Sequence, residues 1–276
     1  MIEKHPLRIY RMPEFQAPSL LVGWSQDAGK LGLKVVNFLN GKLGSQEFCA
    51  IEPADFFPLG GVAVEDDMIQ FPESKFYSCR ENDLIIFSSD PPSYEHYEFL
   101  NSVLDLAQHY CKAEELYTIG GIISLTAHTS PRRILTVVNQ PELKEKLSGY
   151  GLEIGMDYQT PPGQRPTLSS FLLWLAKRRN IAGANLWVEV PFYLAAEDPM
   201  AGRSVLRFLD KRLNLGIDLG ELDLEVKKQS DKIESLREQN QEISKYMGML
   251  EKGIMLSHDE SEKLAEGVME FLEGES

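Results

Sequence analysis

The sequence predicts an α/β protein in which a largely parallel sheet carries helices on both faces. Two observations predict this class. Short, continuous apolar runs are typical of strands buried on both faces, and amphipathic segments of helical period alternate with them. A third observation predicts an appendage, because the composition changes after residue 220 to an acidic segment with a seven-residue repeat.

The first unit is a strand followed by a helix. Residues 20–24 form an apolar run, and residues 29–39 place apolar side chains at the spacing of an amphipathic helix. Residues 48–79 then consist of short extended pieces separated by proline and glycine, which predicts a β-rich excursion. We expect this excursion to cover one edge of the sheet.

The second unit is a strand, a helix and a strand. Residues 84–87 are a buried strand, and Asp90 before Pro91 is a typical helix start. Residues 116–119 give the next strand, which we expect Gly120-Gly121 to end. The helix between them is indicated by apolar residues at three- and four-residue spacing, which are Tyr97, Leu100, Leu104, Ala107 and Cys111.

The remaining core elements continue the alternation. Residues 132–139 predict a strand, residues 168–179 a helix and residues 184–190 another strand. Asp198 before Pro199 repeats the helix-start signal, for a helix that ends near Gly216. We place the α/β core at residues 1–220 and a helical extension at residues 221–276.

The bulk composition limits the classes of partner. The formal net charge of −14 argues against nucleic acid, because nucleic-acid binding depends on Lys and Arg. Cys49, Cys79 and Cys111 are few, separate and set among apolar neighbours, which favours reduced thiols in the cytoplasm. The N-terminal residues lack the apolar core of a signal peptide, and no segment is apolar for the length that a membrane requires.

The extension carries a heptad seam. Residues 221–276 hold 15 acidic and seven basic residues, and within them a long helix places apolar residues at alternating four- and three-residue steps. The seam can pack on the chain's own domain or final helix, or it can meet another subunit. The seam residues that would join subunits are Val226, Ile233, Leu236, Asn240, Ile243, Met247 and Leu250.

Two positions in the extension carry further signals. A polar Asn240 in the seam is of the kind that fixes register and subunit number in paired helices. Ser257 and Glu260 form a capping box for a short final helix through Leu264, Val268 and Leu272, which can fold back on the long helix as a hairpin.

The sequence offers weak candidates for a ligand site. The loop 23–31 follows a strand and opens a helix, but it departs from a phosphate-binding loop: five residues separate its glycines and Leu31 follows Lys30. Asp27 would also place a carboxylate where a phosphate would lie. The alternative is that Ser25 or Asp27 caps the helix and that the glycines permit close packing.

Other reactive residues are dispersed. No His or Cys pair has the spacing of metal ligands, and no serine lies in a nucleophile elbow, so we predict no metal, no cofactor and no catalytic residue. The alternative is an enzyme that acts on a nucleoside- or phosphate-containing molecule. Its ligand site would be a cleft at the strand ends near Asp27, His128 and Arg165.

Several motifs, taken in order, resemble the proteasome assembly chaperone 2 family, particularly its prokaryotic members. They span most of residues 20–273, and the final helix also resembles that of the prokaryotic relatives. The motifs are residues 51–57, the unit 83–99, Gly120-Gly121 with residues 127–131, the turn 190–193, and Asp198-Pro199 before a leucine-rich helix.

The resemblance implies an α/β/α sandwich similar to that of nucleoside phosphorylases, without their catalytic set, with a C-terminal helical extension. It also implies a homo-oligomeric protein that binds a client protein complex. The chain departs from the family at two places. It ends Gly274-Glu275-Ser276, without the hydrophobic-Tyr-X tail of archaeal relatives that dock on proteasomes, and residues 160–166 contain one glycine where the family has a glycine-rich loop.

Overall fold

A computed structural model of the chain describes residues 6–58, 63–65, 67–157, 159–160, 163–164 and 166–274. In these residues a central sheet lies between two layers of helices, and three further helices follow at the C-terminus. The predicted α/β class with helices on both faces of the sheet and a helical extension is therefore confirmed.

The strands are β1 (Leu7–Ile9), β2 (Ser19–Trp24), β3 (Gln46–Ile51), β4 (Ala63–Glu65), β5 (Met68–Gln70), β6 (Ser74–Cys79), β7 (Leu84–Ser89), β8 (Glu115–Ser124), β9 (Ile134–Val138), β10 (Glu153–Ile154) and β11 (Ala182–Pro191). The helices are α1 (Leu31–Lys42), α2 (His96–Asp105), α3 (Pro141–Leu147), α4 (Leu168–Arg178), α5 (Pro199–Leu213), α6 (Gly220–Gln239), α7 (Gln241–Glu251) and α8 (His258–Gly274). A π-helical turn over Leu106–Tyr110 prolongs α2.

The described strands form a nine-stranded sheet in the order β1-β3-β6-β7-β2-β8-β11-β9-β10, beside a separate β4–β5 hairpin. The central strands β7, β2, β8 and β11 are parallel, whereas β1, β3 and β6 add to one side as antiparallel strands and β9 adds antiparallel to β11. The prediction of a largely parallel sheet thus holds for the centre only. The β-rich excursion does extend one edge, as predicted, because its hairpin connections pair neighbouring strands antiparallel.

Each face of the sheet has its own hydrophobic core. Phe87 and Phe99 belong to the core under α2 and α4, and Leu21 and Val205 to the core under α1, α3 and α5. All four side chains are fully buried. Burial of large apolar side chains on both faces explains why the central strands read as continuous apolar runs in the sequence.

Helix α2 begins later than predicted. Asp90 does not cap it, because its carboxylate accepts a hydrogen bond from the Ser25 hydroxyl. The backbone amides of Ser93 and Tyr94 donate to the carbonyl of Phe56, which holds this segment in a non-helical loop. The helix starts only at His96.

Strand β8 continues through the glycine pair that was expected to end it. Gly120 and Gly121 pair with Trp187 and Val188 of β11, and the strand runs to Ser124. A side chain on Gly121 would place its Cβ 2.2 Å from the carbonyl oxygen of Ala28. The glycines therefore allow the segment that contains Ala28 to lie close to β8, and they do not form a turn.

The long heptad helix of the extension is two helices. Asn240 separates α6 from α7 with extended backbone, is exposed, and accepts hydrogen bonds from the amides of Glu242 and Ile243. It is thus a helix N-cap. The role predicted for Asn240 in fixing register assumes one continuous seam helix, whereas here the Asn240 side chain caps a new helix.

Most of the predicted seam is buried inside the chain. Val226 is half-buried and the other apolar seam residues, Ile233, Leu236, Ile243, Met247 and Leu250, are buried. These five pack with Leu264 and Val268 of α8. The packing matches the first of the two alternatives, in which the seam meets the final helix, and these five side chains are not exposed for a subunit contact. The Ser257–Glu260 capping box that starts α8 is confirmed.

Candidate functional site at the carboxyl ends of the central strands

The chain changes direction between β2 and β8. From β2 the chain passes through α1 to β3 on one side, and from β8 it continues to β9 on the other. In open α/β sheets the crevice at such a switch point is where ligands bind. The loops after β2, β8 and β11 meet in this region, because these neighbouring strands are parallel.

Asp27 lies at the switch point and occupies the N-terminus of α1. One oxygen, Oδ2, accepts the Gly32 amide at 2.9 Å. The other, Oδ1, is buried without a hydrogen bond among the described residues. Burial raises the pKa of Asp27 from 3.8 to about 6, against the attraction of the amides of Gly32, Gly121 and Leu31. The carboxylate therefore takes the position that an anionic ligand would take at a helix N-terminus.

The turn after Asp27 fills the rest of the crevice. Residues 28–30 form a 3-10 turn whose Ala28 carbonyl lies against Gly121. A Cβ on Gly32 would lie 2.6 Å from the Ile119 carbonyl oxygen and 3.0 Å from Asp27 Oδ2. These contacts agree with the alternative in which the glycines of the loop permit close packing.

His128, in the loop after β8, binds the turn after β11. The Tyr193 hydroxyl accepts the His128 amide at 2.6 Å and lies 3.0 Å from ring atom Nδ1. The residue as a whole is 8% exposed. Burial, with the nearby charges of Arg237 and Arg132, lowers the pKa of His128 to about 4. The imidazole is therefore neutral near pH 7 and serves to join two loops.

Arg132 and Asp198 form a buried ion pair beside His128. Arg132 Nε donates to Asp198 Oδ2 at 2.6 Å, and Nη1 donates to the carbonyls of His128 and Ser130 at 3.0 and 2.7 Å. Asp198 also caps α5 by accepting the amides of Met200 and Ala201, as the sequence predicts. This network ties the loop after β8 to the start of α5, and each buried charge has hydrogen-bond partners, as buried charges require.

The C-terminal helices cover these loops. Ala127, Tyr193 and Leu194 belong to the same hydrophobic cluster as the buried residues of α6, α7 and α8. Near His128, Arg237 of α6 holds Glu251 of α7 through hydrogen bonds of 2.9 and 3.3 Å. The strand-end region beside β8 and β11 is thus an internal contact between the core and the extension.

Two of the three predicted ligand residues, Asp27 and His128, have different neighbours. Asp27 contacts α1 and β8, whereas His128 contacts Tyr193 and the C-terminal helices, and Arg165 lies outside the described residues. Sequence reasoning missed Arg132 and Tyr193. Nothing in the sequence marks these two residues, because an arginine at the start of a strand and a tyrosine after Pro191 belong to no functional motif. Only the fold brings them together.

A groove of about 620 Å³ runs beside this region, between α6 and α8, with the residues after β11 as its floor. Within the described ranges, no cluster of three His, Cys, Asp or Glu side chains could hold a metal ion. No helix in the same ranges has the length and hydropathy needed to span a membrane.

Comparison with known proteins identifies relatives of the chain. The sequence model of the PAC2 family matches residues 20–237. The crystal structure of Pyrococcus furiosus PbaB, an archaeal proteasome activator, is 25% identical, covers 84% of this chain and 98% of its own, and has a TM-score of 0.68. No curated protein matches the chain.

More distant structures show the fold alone. Rv2125 of Mycobacterium tuberculosis, a proteasome-assembly chaperone homologue, is 16% identical over 79% of this chain and 94% of its own, with a TM-score of 0.67. Rv2714 of the same organism, of unknown function, is 17% identical over 91% of both chains, with a TM-score of 0.76.

Proposed function

The chain belongs to the PAC2 family, and from this premise we propose that it is a non-enzymatic, homo-oligomeric protein that binds subunits of a large protein complex and assists their assembly. The family and the 25% identical archaeal proteasome activator make proteasome subunits the first candidate client. The proposed location is the cytoplasm, which the three free, buried cysteines favour.

One observation carries the proposal. The strand-end region, where an α/β enzyme of this topology would hold its substrate, is occupied by the chain's own Asp27 turn and by the contact of His128 and Tyr193 with the C-terminal helices. The polar groups of this region form hydrogen bonds with other groups of the same chain. Function is therefore expected at the outer surface.

The β4–β5 hairpin is the outer surface that best fits a client. Val64, Met68, Ile69 and Phe71 are 53 to 68% exposed on this small hairpin, which is not part of the central sheet. A two-stranded hairpin is marginal in water, and clustered exposed apolar side chains mark interaction sites. Contact with a client protein would remove these side chains from water.

The test is affinity capture of the tagged chain from the source organism after mild cross-linking, with mass spectrometry of the captured proteins. We expect subunits of one multi-subunit complex, with proteasome subunits first, and their loss in the double variant Ile69→Ser, Phe71→Ser. Leu224→Ser is the matched control, because Leu224 is also 61% exposed but lies on α6. Capture of no complex, together with a thermal shift from a nucleoside or nucleotide panel, would replace this proposal with the small-molecule alternative.

A further inference from the structure

Strand β8 has an open edge beyond the point where its pairing with β2 ends. We propose that this edge, residues 120–124, binds an extended segment of a client polypeptide, which joins the sheet as a further strand beside β8. The segment carries apolar side chains at alternating positions and few acidic ones. The inference rests on the proposed client binding and gives that binding a main-chain contact at a second surface.

The edge opens because the chain turns away from β8 after β2. The pairing of β2 with β8 ends at Gly23 and Ile119, whereas β2 stays paired with β7 through Trp24. The Ser25 amide then donates to the carbonyl of Ser89, so the chain continues along β7. On the side that β2 occupies, no described strand pairs with β8 after Ile119.

Two isoleucines are exposed where this neighbour is missing. Ile122 and Ile123 are 40% and 49% exposed, although successive residues of a strand lie on opposite faces of the sheet. Their partners on β11, Glu189 and Val190, are buried at the same level of the sheet. Because the neighbouring strand is covered there, we attribute the exposure of both isoleucines to the open side of β8.

The backbone of the edge is directed to this open side. The Gly121 amide lies toward the Asp27 carboxylate, on the side of β2. Because the direction of the backbone polar groups alternates along a strand, the amide of Ile123 lies on the same side as that of Gly121, and the amide of Ile122 faces β11. An exposed strand edge is a template for another strand, since main-chain hydrogen bonds give affinity and side chains select the segment.

The side chains around the edge define the class of segment. Asp27 lies beside the inner end of the edge, and Asp90 follows β7, the next strand beyond β2. These two carboxylates disfavour an acidic segment, because like charges oppose binding. Ile122 and Ile123 favour apolar side chains on both faces of the added strand, since contact would remove their exposed surface from water.

The test begins with a phage-displayed library of random twelve-residue peptides, selected on the immobilised full chain. We expect the selected peptides to share alternating apolar residues and to contain few acidic ones. Ile123→Pro removes an edge amide and keeps an apolar side chain, and it should weaken the binding of a selected peptide by about tenfold or more. Ile123→Thr is the matched control, because it keeps the amide and the β-branched shape, and it should weaken binding less. Thermal unfolding of both variants verifies that they are folded.

Amide hydrogen exchange of the native chain, resolved to single residues, gives a readout that needs no variant. In the free chain the Ile123 amide should exchange faster than the Ile122 amide, which faces β11. The selected peptide should slow the exchange of the Ile123 amide by about tenfold or more, as a hydrogen bond from an added strand requires.

Several results would overturn the edge site. Selection of no peptide does so, as do peptides that bind Ile123→Pro as tightly as the native chain. A native dimer that Ile123→Pro dissociates, with the Ile123 amide protected before any peptide is added, would assign the edge to a second copy instead. Client capture separates this inference from the proposed function. A complex captured equally by Ile123→Pro, with no peptide selected, leaves only the client proposal standing, and peptide binding without any captured complex leaves only the edge site.

Discussion

Replacement of Asp27 by asparagine is expected to stabilise the protein near neutral pH. The substitution keeps the shape of the side chain and an oxygen for the Gly32 amide, but removes a charge from a buried position with an unpaired oxygen. Because burial raises the pKa of Asp27 from 3.8 to about 6, the ionised form is less stable in the folded chain than in the unfolded one.

The size and sign of the effect on stability follow from the linkage between protonation of Asp27 and folding. A raised pKa contributes stability that is fully present below the unfolded value near 3.8 and is lost as pH rises through about 6. The rise of the Asp27 pKa from 3.8 to about 6 corresponds to at most about 3 kcal/mol in the free energy of unfolding, and solvent screening of this half-buried side chain lowers the expectation to about 1–3 kcal/mol. Because asparagine does not ionise, the stability of Asp27→Asn should not fall in this way between pH 4 and 8.

The assay is urea unfolding of the native chain and of Asp27→Asn at several pH values from 4.5 to 8. The stability of the variant relative to the native chain should grow with pH and level off above pH 7. Asp67→Asn, which removes the same charge from the exposed turn between β4 and β5, controls for net charge. A stability difference for Asp27→Asn that does not change across this pH range would refute the reasoning.

Two further substitutions test the packing and the capping. Gly121→Ala places a Cβ against the Ala28 carbonyl and should cost about 1–3 kcal/mol in urea unfolding, whereas Gly149→Ala, with no atom within 4 Å of the new Cβ, should change little. Asn240→Ala removes the α7 cap and should cost about 1 kcal/mol with an unchanged sedimentation coefficient, since a change in subunit number would instead support the register role.

The two Asp-Pro pairs show how far local signals predict this fold. Both resemble a helix start, but only Asp198 begins a helix, because its carboxylate meets Arg132 and the free amides of Met200 and Ala201. Asp90 instead accepts from Ser25, a residue 65 positions earlier in the chain. Contacts between residues that lie far apart in the sequence decide whether an Asp-Pro pair starts a helix, and no local sequence pattern contains such contacts.

Glycine pairs and heptads are ambiguous for the same reason. Gly120-Gly121 is a turn signal unless another segment packs on the strand, and here the turn after Asp27 does so. The apolar period of the extension predicts a buried stripe correctly, since Ile233 and Met247 are buried, but period alone does not say whether a partner helix belongs to the same chain.

The candidate ligand residues are predicted from their position at the strand ends. In this chain the loops at the ends of β8 and β11 pack against the C-terminal helices. A buried polar group is tolerated when its hydrogen bonds are met, and here Arg132, Asp198 and Tyr193 meet them while holding the loops under the C-terminal helices. A ligand that entered beside His128 would have to displace those helices and leave the Arg132–Asp198 pair exposed to a new partner. The same residues that would have formed a pocket therefore fix the orientation of α6 and α8 over the loops.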